Sequence, residues 1–149
     1  MNPLRRRRSR SLAWVCWLAA VSAWPASADV TVQHAWVRAT VPGQRVAGAY
    51  MDIATTRDAR LVAVHSPLAA YVDIHLMQMD GAVMRMREVA TLELPRNRVT
   101  TLQPGGYHLM LTQLKTPIHV GDIVPLTLTI VSDGHRELLK IKAVARGTR

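Results

Sequence analysis

Only one of the 149 residues is a cysteine, and Cys16 falls inside an N-terminal segment that reads as a removable leader. From Asp29 onward there is no thiol. A disulfide framework, a cysteine nucleophile and a thiolate-ligated metal are thereby excluded. Catalytic signatures are missing as well: there is no Gly-x-Ser-x-Gly and no His-Glu-x-x-His, so an enzyme is not expected. Helix-period segments, internal repeats, low-complexity tracts and interdomain linkers are also wanting. The 121 residues from Asp29 to Arg149 are the length of one domain with a single core.

The first 28 residues have the layout of a secretory signal peptide. Arg5, Arg6, Arg7, Arg8 and Arg10 form a basic start, and Leu12 to Ala23 is an apolar stretch too short for a confident membrane span. Pro25 and then Ala26-Ser27-Ala28 supply a helix break and a cleavage signal. Polar Ser9, Arg10 and Ser11 follow Arg7-Arg8, which disfavours a twin-arginine reading. Bulky Trp14 and Val15 before Cys16 disfavour a lipid attachment site. The expected boundaries are therefore 1–28 for the cleaved leader and 29–149 for the domain, with periplasmic localisation and no stable membrane insertion after cleavage. The leader also carries most of the charge imbalance. The whole chain is +9, but five arginines and no acids leave with the leader, so 14 basic and 10 acidic residues remain. That balance of +4 lacks the clustered stripe of a nucleic-acid binder.

Short alternating runs bounded by turn residues fill the rest. Strands are expected at 30–38, 46–55, 61–65, 71–79, 82–87, 107–114, 123–131 and 135–144, with shorter pieces at 92–94 and 99–102. Asp80-Gly81 and Asp133-Gly134 are hairpin signals. Eight or nine strands in this length make an all-β Greek-key sandwich or barrel, of which the cupredoxin-like fold is one version.

Soft donors are unevenly spread along this pattern. Met77, Met79, Met84 and Met86 share one hairpin, whereas Met51 lies apart. With Asp80-Gly81 as a two-residue loop, His75 is expected to face Met86 and Met77 to face Met84, with Cβ atoms about 4.5–5.5 Å apart. His108 and Met110 project from one face of their own strand. The candidate metal ligands are thus His75, Met86, His108 and Met110, spaced His-x10-Met-x21-His-x-Met. Imidazole and thioether without thiolate or carboxylate suit Cu(I) better than Zn²⁺, Ca²⁺ or Mg²⁺. A blue copper electron-transfer centre would need the missing cysteine. Spacing alone does not bring the hairpin and the later strand together, and a packed or partner-binding methionine surface stays open. His34, His65, His119 and His135 read as surface, turn or structural residues.

At these positions the chain resembles the periplasmic copper chaperone family often called PCu(A)C. The ligand spacing matches without a gap, and so does the surrounding text: Val72-Asp73-Ile74-His75, Met79-Asp80-Gly81, Met84-Arg85-Met86-Arg87, Pro104-Gly105-Gly106-Tyr107-His108-Leu109-Met110, and Gly121-Asp122 with Val124-Pro125-Leu126-Thr127. Leu76 after the first histidine departs from the acidic residue common there. The resemblance implies a cupredoxin-like sandwich that binds one Cu(I) per chain, and a monomer is expected. It further implies delivery towards the CuA centre of cytochrome c oxidase, with the copper-bearing oxidase subunit or a Sco-type assembly factor as partner. Copper or silver sequestration for metal tolerance would use the same site. Val144 to Arg149 holds no histidine or methionine, so a second site on the C-terminal tail is not expected.

Overall fold

Ten strands and no helix make up the described part of the chain, residues 29–147 of a computed structural model. The strands are β1 (Val30–Arg38), β2 (Val46–Thr55), β3 (Ala59–His65), β4 (Ala69–Asp80), β5 (Val83–Glu88), β6 (Leu92–Leu94), β7 (Val99–Leu102), β8 (Tyr107–Leu114), β9 (Ile123–Ser132) and β10 (His135–Arg146). The expected leader, 1–28, lies outside the described residues. Both short pieces are strands, because each finds a ladder: β6 pairs with β3, and β7 with β2. That raises the count above the eight or nine expected.

The hydrogen-bonded order is β5-β4-β8-β2-β1-β10-β9-β3-β6, with β7 beside β2. The alternating residues fold this path onto one core. Val124, Leu126, Leu128 and Ile130 of β9 are buried, as are Leu109 and Leu111 of β8, Ala47 and Ala49 of β2, and Ile74 of β4. All belong to one continuous apolar cluster. β1 and β10 run parallel, Trp36 opposite Val144; the other ladders are antiparallel. The result is an all-β sandwich, as the alternation predicts, and of the cupredoxin-like kind that the resemblance implies.

The two hairpin signals resolve differently. At β9–β10, Asp133 and Gly134 are the loop, with φ of 50° and 78°, and Ser132 pairs with His135. Two left-handed residues in succession match the right-handed twist of the strands. At β4–β5 the loop is instead Gly81-Ala82, and Asp80 pairs with Val83. Gly81 takes φ of 63° while Ala82 does not enter the left-handed region. A loop that needs positive φ only at its first position places the glycine there. Asp80 stays in the strand, its carboxylate 2.9 Å from Arg85 Nε. The expected register is therefore corrected: His75 faces Glu88, Met77 faces Met86, and Met79 faces Met84. The slip moves each partner by two residues, so every side chain keeps its face.

An aromatic row braces the outer side of β1, β2 and β8. Trp36 stacks on Tyr50 with ring centroids 4.4 Å apart, and Tyr50 lies 6.4 Å from His108. Gly48 makes room for this row. A Cβ there would collide with the Tyr50 hydroxyl and lie 2.9 Å from its Cζ. Elsewhere on β1 a bulge between Gln33 and Trp36 puts His34 at φ of 53°, with Nδ1 2.9 Å from Asp52 Oδ2.

Two outcomes follow from these contacts. Gly48→Ala is expected to push the Tyr50 ring aside and destabilise the protein by about 1–3 kcal/mol, read from denaturant melts. The hydrogen bond from His34, and then that from Thr101, holds the Asp52 carboxyl below its ordinary range. A depressed carboxyl stabilises the fold above its unfolded pKa and loses that contribution as pH falls through the folded value. Asp52→Asn is therefore expected to melt earlier than the parent at neutral pH, with the gap closing as pH drops through the carboxylate range. A gap independent of pH would contradict this.

Candidate metal centre

β4 lies between β5 and β8, and this position gathers the soft donors. In the β4–β8 ladder His75 stands directly opposite His108, and Asp73 opposite Met110. In the β4–β5 ladder Met86 stands one step outward from His75, opposite Met77. Met86, His75, His108 and Met110 thus run diagonally over three neighbouring strands on one face. Diagonal neighbours across strands lie about 7–8 Å apart at the backbone, within reach of long side chains. The hairpin and the later strand, which spacing could not join, are direct ladder partners.

The imidazoles are held in defined states of contact. His108 is buried, 4% exposed, and its Nδ1 lies 3.1 Å from the Gly106 carbonyl. A carbonyl only accepts, so Nδ1 carries the proton and Nε2 keeps its lone pair. The same carbonyl accepts the Met77 amide hydrogen bond at 3.1 Å. Gly105, at φ of 83°, turns the chain so that this carbonyl faces both. The His75 ring meets His108 edge-on, centroids 5.7 Å apart, and its Nδ1 is buried without a hydrogen-bond partner. A buried ring nitrogen left unpaired is costly unless a ligand completes it.

A cleft of about 250 Å³ opens on this face. Met86, His108 and Met110 line it, together with Met77, Gly48, Tyr50, Arg38, Val46 and the Pro104-Gly105 turn. His75 is not among its lining residues; it sits against His108 instead. Met77 and Tyr50 are not among the four candidate ligands, although Met77 carried a signal in its place on the histidine face of the methionine-rich hairpin. Tyr50 carried none, because its approach depends on the pairing of β2 with β8. The wall of the cleft contains no carboxylate, and its one charged side chain is Arg38. Arg38 lies 6.0 Å from the Tyr50 ring centroid, close enough for a cation–π contact.

The other histidines are engaged elsewhere. His34 pairs with Asp52, and His119 Nδ1 lies 3.5 Å from Asp122 Oδ2. His65 pairs in the ladder with Thr127, and His135 with Ser132. Among the described residues no group of three or more His, Cys, Asp or Glu side chains is placed to hold an ion. A centre built from three or more side chains of the described residues therefore draws on other donors, and thioether sulfur is what lies beside the two imidazoles.

Comparison with known proteins bears on this geometry. The family model described as "LpqE-like: Putative lipoprotein LpqE-like" matches residues 30–139. A protein of Leifsonia xyli subsp. xyli named "Putative lipoprotein Lxx21020" is 30% identical over 108 residues, 70% of this chain. The match spans 63% of that relative's length. Among solved structures, the copper-bound PCuAC domain from PmoF2 superposes with a TM-score of 0.66 at 26% identity, covering 80% of this chain and 93% of that one. The solution structure of CuI-DR1885 from Deinococcus radiodurans gives 0.62 at 32% identity, covering 86% and 83%. The family match over most of the described domain, on a fold shared with these domains, makes the chain a member of the LpqE-like family of PCuAC type.

Proposed function

We propose that this protein is an exported Cu(I) carrier whose cargo is held by His75, Met86, His108 and Met110. The observation that carries the reading is the pair of facing imidazoles: His108 offers Nε2 to a cleft lined by Met86 and Met110, while His75 beside it keeps a buried nitrogen unpaired. Two solved domains of the same fold are named for bound copper, one of them CuI, which supports the choice of ion.

Donor chemistry argues in the same direction. Two imidazoles and two thioethers are neutral, so the bound ion keeps its own +1 charge. The Arg38 guanidinium in the wall disfavours a divalent cation more than a monovalent one. Thioether sulfur favours Cu(I) over hard ions. Neutral ligands hold such an ion less tightly than thiolates do, which leaves it exchangeable. Met86 is 50% exposed and is the donor an acceptor meets first. Nothing in this arrangement activates a nucleophile, and the proposed role is carriage and not turnover.

Delivery towards the CuA centre of cytochrome c oxidase, to its copper-bearing subunit directly or through a Sco-type factor, is the function proposed for that cargo. Export to the periplasm fits relatives named as lipoproteins, and no helix of the described residues is long and apolar enough to cross a membrane.

Two measurements check the reading. Competition titration is expected to give one tightly held Cu(I) per chain, with Met86→Ala and His108→Ala each weakening it about 100-fold, at or beyond the loss typical of removing a ligand's supporting contact. Unchanged affinity in both variants would overturn the site. Mixing Cu(I)-loaded protein with an apo CuA domain, followed by NMR of both partners, is expected to show metal on the acceptor. Retention of the ion under those conditions would favour sequestration.

A further inference from the structure

The β4–β5 hairpin carries more sulfur than the proposed centre uses. The register puts Met77 opposite Met86 and, one step further out, Met79 opposite Met84. All four are on the face that bears His75. The reverse face differs: Gln78, Asp80, Arg85 and Arg87 alternate with the methionines, and Asp80 and Arg85 form an ion pair of 2.9 Å. The hairpin is therefore two-faced, with thioethers in front and mainly polar residues behind, where Leu76 pairs with Arg87 and Val83 with Asp80.

The outer pair has no packing role to account for it. Met79 is 63% exposed and Met84 53%, and neither belongs to the apolar core or packs against it. Two large apolar side chains held side by side in water at a loop tip gain little from each other. As donors they are well placed. Directly opposed Cβ atoms lie about 4.5–5.5 Å apart. Two metal–sulfur bonds of about 2.3 Å each, with zinc as the guide to length, bridge that gap. The flexible methionine chain adapts to it without moving the backbone. Among the described residues no histidine, cysteine or carboxylate cluster competes for an ion.

We propose that Met79 and Met84 form a second, outer site for a soft monovalent ion, Cu(I) or Ag(I), distinct from the His75–His108 centre. It rests on the reading of that centre as a Cu(I) site only for its purpose, since the outer pair binds by its own sulfur. Successive same-face residues along a strand are about 6.8 Å apart. An ion taken at the tip is thus one such step from Met77 and Met86, the latter already a donor of the inner centre. The outer site is where an incoming ion is first held, and its two donors make it the weaker of the two.

Ag(I) titration of protein carrying ¹³C-labelled methionine methyl groups tests this. The first equivalent is expected to shift Met86 and Met110, and the second to shift Met79 and Met84 with at least about tenfold lower affinity. The double variant Met79→Leu/Met84→Leu, a volume-conserving change at exposed positions, is expected to keep the first equivalent and lose the second. Still Met79 and Met84 methyls at two equivalents, or a second equivalent that survives in the variant, would overturn the outer site. Movement of Met79 and Met84 with Met86 and Met110 unmoved would instead uphold the outer site and overturn the inner one.

Discussion

The Gly106 carbonyl is the contact on which the site turns. It accepts the Met77 amide on one side and the His108 ring on the other, each at 3.1 Å. One oxygen thereby ties the turn before β8 to the middle of β4 and selects the tautomer of the buried histidine. The selection needs no metal to be in place, because the backbone makes it as β4 and β8 pair. The facing of His75 and His108 is a result of the same ladder. Core packing reinforces it from behind, where Ile74 and Leu109, ladder partners on the opposite face, are both buried. The hydrophobic core and the polar site are two faces of one pair of strands.

Where alternation was complete, strand bounds were legible: β1, β2 and β8 begin and end where the pattern says they do. The register was misread at the β4–β5 loop, and β3, β4, β9 and β10 run one or two residues beyond their expected bounds. Asp-Gly carries a strong turn signal, but it does not say which loop position the glycine fills. With Gly81 first in the loop, every cross-strand partner shifted by two residues. The face of each methionine survived because strand parity is insensitive to an even shift. Contacts between distant strands were beyond reach of spacing. Trp36, Tyr50 and Gly48 enter the site's surroundings only through the β1–β2 and β2–β8 ladders, which local pattern does not encode. The ligand spacing could be read from sequence together with its family resemblance; the buried, unpaired His75 nitrogen could not.

The surroundings of the cleft offer a soft ion a basis for preference without any soft anion. Asp73 and Glu88 are ladder partners of Met110 and His75, yet neither carboxylate lines the cleft. Charge near the opening comes from Arg38, held beside the Tyr50 ring. Hard cations thus meet a positive wall and few oxygen donors, whereas a polarizable ion of single charge meets sulfur and neutral nitrogen. Selection rests on the kind of donor and not on the strength of the field.

The position of β5 at the end of the strand order has its own consequence. It is hydrogen-bonded along one side only, and all six of its residues are exposed. Such a segment opens at far lower free energy than the interior strands. β4 and β8, by contrast, are each flanked on both sides. Fraying of β5 carries the Met86 sulfur away while His75 and His108 stay locked in their ladder. The four proposed donors are thereby split into a fixed jaw, two rings and the Met110 sulfur, and a hinged one that carries Met86 alone, so that a grip on small cargo can loosen from its outer edge without unfolding the frame that aims it.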